Sequence, residues 1–348
     1  MKQVLNYSLV ILIVLSFFSC KGKKGGIFIP TSSGRPYELL VVVNPGVWDR
    51  PAGIALHDVL SSDVPGLPQS ESSFHIMHSS PSDYDATLKL IRNIIVVDIQ
   101  NIYTKGSFKY EQDVYAYPQM ILNIQAPDES TFKKFVEDNK QVIIDFFTHA
   151  EMNRQIDYLK KKHSSFISAK VDSLFDCDIW LPAELASSKT AKQFFWASTN
   201  TATADQSFVM YSYPFTSDST FTKKYFVNKR DSVMAVNIPG GRQGSYMMTD
   251  SLLSDVHAIN YHGQYAMIAR GLWRMKRDFM GGPFVSITRL DKKHKRIVTA
   301  EVFVYSPDKM KRNLIRQLES SLYTLKLSDE LQQGNIPLNG VPVKKIKK

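Results

Sequence analysis

From Asp128 to Leu181 the chain contains not one glycine or proline. Nothing there forces a turn, so this stretch constrains the fold more than any other. Phe132, Phe135, Val136, Ile143, Phe146, Phe147 and Ala150 keep helical spacing. Met152, Ile156, Leu159, Phe166, Val171 and Leu174 continue it after a phase slip near residue 150. The spacing predicts a long central helix around 128–163, either bent or made of two abutting pieces. A straight helix of that length would span about 54 Å. One small core cannot cover that, so one end projects or bridges two lobes.

Strands are expected on both sides of it. Tyr37–Val43, Asn93–Ile99 and Met120–Ile124 are apolar runs that read as buried strands. In the second half, Phe194–Trp196, Phe208–Tyr213, Tyr246–Met248 and Tyr265–Arg270 read the same way. Phe284–Leu290 and Ile297–Tyr305 form a hairpin around Asp291–Lys295. Helices are expected over Ala52–Leu60, Phe221–Val236 and about Pro307–Leu325. A strand–turn–helix unit recurs in Leu122–Lys134, Val302–Lys311 and, more loosely, Met210–Lys224. In the second copy Ser306 is the expected cap, Pro307 fits the first helical position and Asp308 meets the helix dipole. The fold class that follows is α+β: two similar lobes, 34–163 and 164–327, of mostly antiparallel sheet with helices packed on one face.

The ends speak of location. Met1 and Lys2 precede Leu9–Phe18, which is apolar except for Ser16, and Ser19 precedes Cys20. Residues 1–19 read as a signal peptide, since the apolar run is about half of the 20 residues that a span requires. Cysteine just after the cut resembles the lipobox of bacterial lipoproteins. Acylated Cys20 would then anchor the chain in a membrane. Residues 20–33 read as a flexible tether and 328–348 as a disordered basic tail. Only two cysteines are present, so lipidation leaves Cys177 alone and no disulfide within the chain. The net charge is +10, and losing Lys2 with the signal leaves +9. An exported lipoprotein does not meet nucleic acid, so anionic headgroups are the nearer partner.

Catalytic signatures are missing: no G-x-S-x-G, H-E-x-x-H, Walker loop or G-x-G-x-x-G. Gly240-Gly241-Arg242-Gln243-Gly244 follows a helix rather than opening one and reads as a cap and loop. His75 and His78 point to opposite faces of a strand, and Asp176-Cys177-Asp178 lacks converging ligands. No metal and no cofactor are expected. The richest segment runs from Tyr261 to Phe284. Arg270, Trp273, Arg274 and Arg277, with His262 and Arg242, are the expected ligand surface, because aromatic rings interleaved with Arg grip anionic groups or sugars. That surface requires the strand to end near Gly271, with Gly281-Gly282 as a hinge. An alternative is a hydrolase or transferase acting on cell-wall or sugar substrates, using His257, His262, Asp278 or Arg270.

Several segments together carry a family resemblance. They include Gly34–Val43, Asp63–Gln69, Arg92–Asp98, Ala150–Ile156, Asp176–Pro182, Phe208–Tyr213, Ala269–Trp273 and Val304–Asp308. The chain resembles a Bacteroidetes lipoprotein family, domain of unknown function 4837, over essentially the whole mature length. The resemblance implies an envelope location and no activity. Lys21, Lys23 and Lys24 stand where surface-exported relatives bear acidic residues. This points to the periplasmic face of the outer membrane. The reading is a membrane-anchored binding or structural protein without catalysis, its partner an envelope protein or an anionic or sugar ligand.

Overall fold

The structure, a computed structural model, describes residues 29–331 and 344–345. It is α+β, with two sheets of six and seven strands.

The first lobe comprises β1 (Glu38–Val42), α1 (Pro45–Trp48), α2 (Pro51–Leu60), β2 (His75–Ser79), β3 (Asn93–Ile99), β4 (Ser107–Gln112), β5 (Met120–Ala126), α3 (Glu129–Asp138) and α4 (Lys140–Lys162). Its sheet differs from the antiparallel expectation. β1 runs parallel to β2 and β3, and β3 runs parallel to β5; only β4 is antiparallel to its neighbour β5. Parallel strands are buried on both faces, which explains the unbroken apolar runs Leu39–Val43 and Ile94–Ile95. One face packs on α2, α3 and α4 through Leu56, Phe132, Val136, Ile143 and Phe147. The other is closed by loops and one short 3₁₀ turn (Leu88–Leu90), which bring Tyr84, Leu88 and Val114 against Leu40, Val42 and Ile94.

The central helix is two abutting pieces. They meet at Asn139, whose backbone leaves the helical region (φ −114°, ψ 22°). There is no break near residue 150. The phase slips there because α4 changes what it covers. Its first half seals the first lobe's core with Ile143, Ile144, Phe146 and Phe147. Beyond that it bridges to the second lobe and packs on α7 (Arg312–Leu322).

The second lobe comprises α5 (Ser165–Phe175), β6 (Ser187–Ala191), β7 (Phe194–Ser198), β8 (Asp205–Pro214), α6 (Lys223–Asn237), β9 (Met247–Tyr261), β10 (Gln264–Met275), β11 (Gly281–Asp291), β12 (Arg296–Tyr305) and α7. Its sheet, β6-β7-β8-β12-β11-β10-β9, is antiparallel throughout. Helices cover both faces, not one. Ile167, Val171 and Phe175 of α5 and Ile315, Leu318 and Leu322 of α7 pack on Phe208, Met210, Val298 and Ala300. Phe226 and Met234 of α6 pack on Phe194, Val209 and Tyr211 from the opposite side.

The lobes are joined at α7. Ser306 does not cap it, and Asp308 sits in the left-handed region (φ 58°). The helix starts later, at Arg312, and its cap comes from the other lobe. The Glu71 carboxylate accepts from the backbone N–H of Lys311 at 2.7 Å and of Arg312 at 2.8 Å. Arg312 and Arg316 donate to the carbonyls of Ser72 and Ser73, and the Arg316 guanidinium lies 4.8 Å from the Tyr37 ring centre.

Two assigned ends are partly anchored. Ser32, placed in the tether, donates its N–H to the Tyr117 carbonyl at 2.9 Å. Ser328 and Glu330, placed in the tail, bond to Asp176 and Arg289. Lys344–Lys345 (β13) pairs in parallel with β4. Cys20 lies outside the described residues.

Candidate functional site

Strand β10 runs through Gly271 without ending, in regular register with β11 from Met267↔Thr288 to Arg274↔Gly281. Alternation therefore splits the expected ligand surface. Arg270 and Arg274 face one way, Trp273 the other. Gly281 and Gly282 belong to β11 and form no hinge. A Cβ on Gly282 would lie 2.0 Å from the Val304 carbonyl oxygen and 3.2 Å from Trp273 Nε1. The glycine makes room for the indole, which is 3% exposed, donates to Val304 O at 3.3 Å and meets Phe303 edge-on.

The residues fall into separate places. Arg270 sends both terminal nitrogens to the carboxylate of Glu319 on α7, one at 2.7 Å. Burial opposes its charge, but Glu319 outweighs this and holds the guanidinium above its ordinary value. The pair lines a cleft of about 490 Å³ between the lobes, with Arg316, Tyr323 and Asp145, Thr148 and His149 of α4. Gly66, at φ 82°, brings the 62–67 loop down over Arg270 and Gly271. His262 lines a different cavity, of about 580 Å³, with Phe221, Tyr265 and the Arg289–Glu330 pair. Its Nε2 lies 2.9 Å from the Tyr323 carbonyl and so carries the proton. Arg242, Arg274 and Arg277 are exposed and form no ion pair among the described residues. His257 sits 2.8 Å from Asp255 at the open edge of β9, and Asp278 accepts from the Phe279 N–H in a turn. Neither lines any of these cavities.

Trp273 also backs a third cavity, a groove of about 390 Å³ at one end of the second sheet. Trp196, Phe303 and Tyr305 add aromatic rings, and Ser187, Ser188, Ser198, Asn200 and Thr201 supply small polar groups. Trp196 is fixed in place. Its Nε1 donates to Ser207 Oγ at 3.1 Å, and that hydroxyl donates to Asp205 at 3.3 Å. Lys189 and Asp205 are the charged residues lining it. Lys189 donates to the Asn237 carbonyl, and Asp205 accepts from Thr199 and the Thr201 N–H.

Sequence reasoning missed the buried charges. Arg230 of α6 is fully buried and donates to both oxygens of Glu301, at 2.9 and 3.1 Å from Nε, with its guanidinium 4.2 Å from the Phe284 ring centre. The visible signal was Glu301 itself, the one charged residue in the run Val298–Val304. In the first lobe Glu151 accepts from Asn93 at 2.7 Å and Arg154 at 2.8 Å and meets Arg92 at 3.0 Å. Cys177 is buried, and burial pushes its thiol up to about 12. Among the described residues no group of three or more His, Cys, Asp or Glu is placed to hold a metal, and no helix is long and apolar enough to cross a membrane.

Residues 164–324 match the family model described as Domain of unknown function (DUF4837). The resemblance to that family holds for this part of the chain. Residues 32–160 match a second model, Domain of unknown function (DUF8532), so the family likeness expected for the whole mature length divides between two descriptions. No curated protein matches.

Proposed function

We propose that this chain is a lipid-anchored protein of the cell envelope, held through acylated Cys20 on the periplasmic face of the outer membrane, and that it binds a ligand without catalysis. The observation that carries the binding part is the aromatic groove. It offers rings and small polar groups, and both of its charged residues are already hydrogen-bonded. The guanidinium that a hydrolase would use on an anionic substrate, Arg270, is committed to Glu319. Burial and a raised pKa leave the Cys177 thiol a poor nucleophile. The anchor rests on the sequence before and at Cys20.

The test is cell fractionation of the full chain with metabolic acyl labelling. The wild type should take up label and stay with membranes through a high-salt wash, and Cys20→Ala should lose both. Retention of the variant through that wash overturns the anchor. Turnover of a cell-wall glycan that is lost in His262→Ala, with folding intact, overturns the non-catalytic reading.

A further inference from the structure

We infer that the groove backed by Trp273, with Trp196 and Tyr305 at its surface, takes an uncharged saccharide. The inference rests on the binding reading above and names its ligand. A pyranose has a C–H face that stacks on aromatic rings and equatorial hydroxyls that need small donors and acceptors at the rim. The groove has that division. Rings come from Trp196, Phe303 and Tyr305, and Ser198, Asn200 and Thr201 supply the polar side. Its 390 Å³ lies at the small end of ligand pockets, about 300–1,000 Å³, which suits one or two sugar rings.

Charge decides between ligand classes. The chain carries +10, yet the two charged residues lining the groove, Lys189 and Asp205, are opposite in sign. Lys189 is turned to the Asn237 carbonyl and Asp205 is enclosed by Thr199, Thr201 and Ser207. With one charge of each sign, the groove gives an anionic ligand no net attraction, and a neutral ligand needs none. A peptide strand added beside β6 would meet Lys189 in the middle of that edge, a placement that discourages strand addition. An acyl chain would bury the polar rim unpaired.

The ring platform is also pre-set. Trp196 is fixed through Ser207 to Asp205, and the Tyr305 ring stands 6.3 Å from that of Trp273, which Gly282 seats. A fixed platform lowers the ordering cost of binding.

The experiment is saturation-transfer NMR and tryptophan fluorescence on the purified full chain. The probes are cellobiose, maltose, chitobiose and mannobiose, with a uronic-acid disaccharide and a hexapeptide as contrasts. At least one neutral disaccharide should bind saturably. Trp196→Ala should weaken it about tenfold, and Trp196→Phe, which keeps a ring and protects the fold, should retain part of the binding. Asp145→Asn in the interlobe cleft should leave it unchanged. Binding of the uronic acid or hexapeptide alone overturns the saccharide inference and leaves the binding reading standing. Neutral-sugar binding unaffected by Trp196→Phe and Tyr305→Ala places the site elsewhere and overturns it too. If no probe binds and the wild type also retains nothing from detergent-solubilised envelope, both readings fail.

Discussion

The two lobes solve the same problem in opposite ways. The first buries a mainly parallel sheet under α-helices on one face and loops with one 3₁₀ turn on the other. The second buries an antiparallel sheet between helices on both faces. They also differ in where charge is buried. The second lobe encloses Arg230–Glu301 under α6, with both side chains 0% exposed. The first buries Asn93 and Glu151 but leaves the arginines of the knot, Arg92 at 17% and Arg154 at 9%, in touch with solvent. The local strand–turn–helix unit is common to both, since β5 leads to α3 and β12 leads to α7. The difference teaches that this unit fixes neither the direction of the strand's neighbours nor the number of layers. The likeness between the two halves is confined to the unit.

The comparison breaks first at the buried charges. Arg230→Ala should cost about 3–5 kcal/mol in chemical denaturation, because Glu301 is left charged and enclosed. Arg230→Met combined with Glu301→Leu should recover most of that loss. A cost of under about 1 kcal/mol for the single change would mean that the pair is solvated and the lobes do not differ in this respect. Trp273→Ala should cost a similar 3–5 kcal/mol as a large buried deletion. If instead Trp273→Ala left stability untouched, the indole would be a surface group after all.

The lobe junction comes next. Glu71→Ala removes the carboxylate that holds two N–H groups of α7 and should cost about 1–2 kcal/mol. Calorimetry should then resolve two transitions where the wild type is expected to give one. A single sharp transition in the variant would show that α4 and the Arg312 and Arg316 contacts couple the lobes without Glu71.

A smaller effect is tied to pH. Burial raises the Glu330 pKa, but the Arg289 hydrogen bonds and charge outweigh it and hold the carboxyl below its ordinary 4.5. A depressed carboxylate contributes fully above its unfolded value and loses that contribution as pH falls through the folded value. Glu330→Gln should therefore flatten the acid limb of the stability curve below about pH 4.5, and an unchanged limb would remove Glu330 from the account. Smallest of all is Cys177. Thiol reagents should leave it unmodified until the chain is unfolded, and rapid labelling at neutral pH would contradict its burial.

Much of this architecture was legible in the sequence. Strand positions followed from runs such as Asn93–Ile99, and the absence of Gly and Pro announced α3, α4 and α5. Direction was not legible, because an apolar run such as Leu39–Val43 shows that both faces are buried but not which way its neighbours run. The helix break was misplaced because a change in what α4 covers, near residue 150, leaves the same mark as a change in the helix itself. The site was legible only in part. Alternation along β10 was the recognised risk, and the structure realised it: Arg270 reached the interlobe cleft, His262 a second cavity and Trp273 the back of a third. Trp196 and Tyr305 were invisible as partners, since they come from β7 and β12 and meet Trp273 only through the sheet register.

Glu71 makes each lobe the owner of something the other lacks. A helix that packs on the second sheet begins with N–H groups answered from the other half, and a carboxylate only 4% exposed finds its donors across the same boundary. Cut between α4 and α5, the two pieces would each expose a half-made hydrogen-bond set, one rich in donors and one rich in acceptors. Mixed together, they should find each other through that complementarity. A protein built on the second half alone must bring its own carboxylate to α7, or leave the first N–H groups of that helix unanswered.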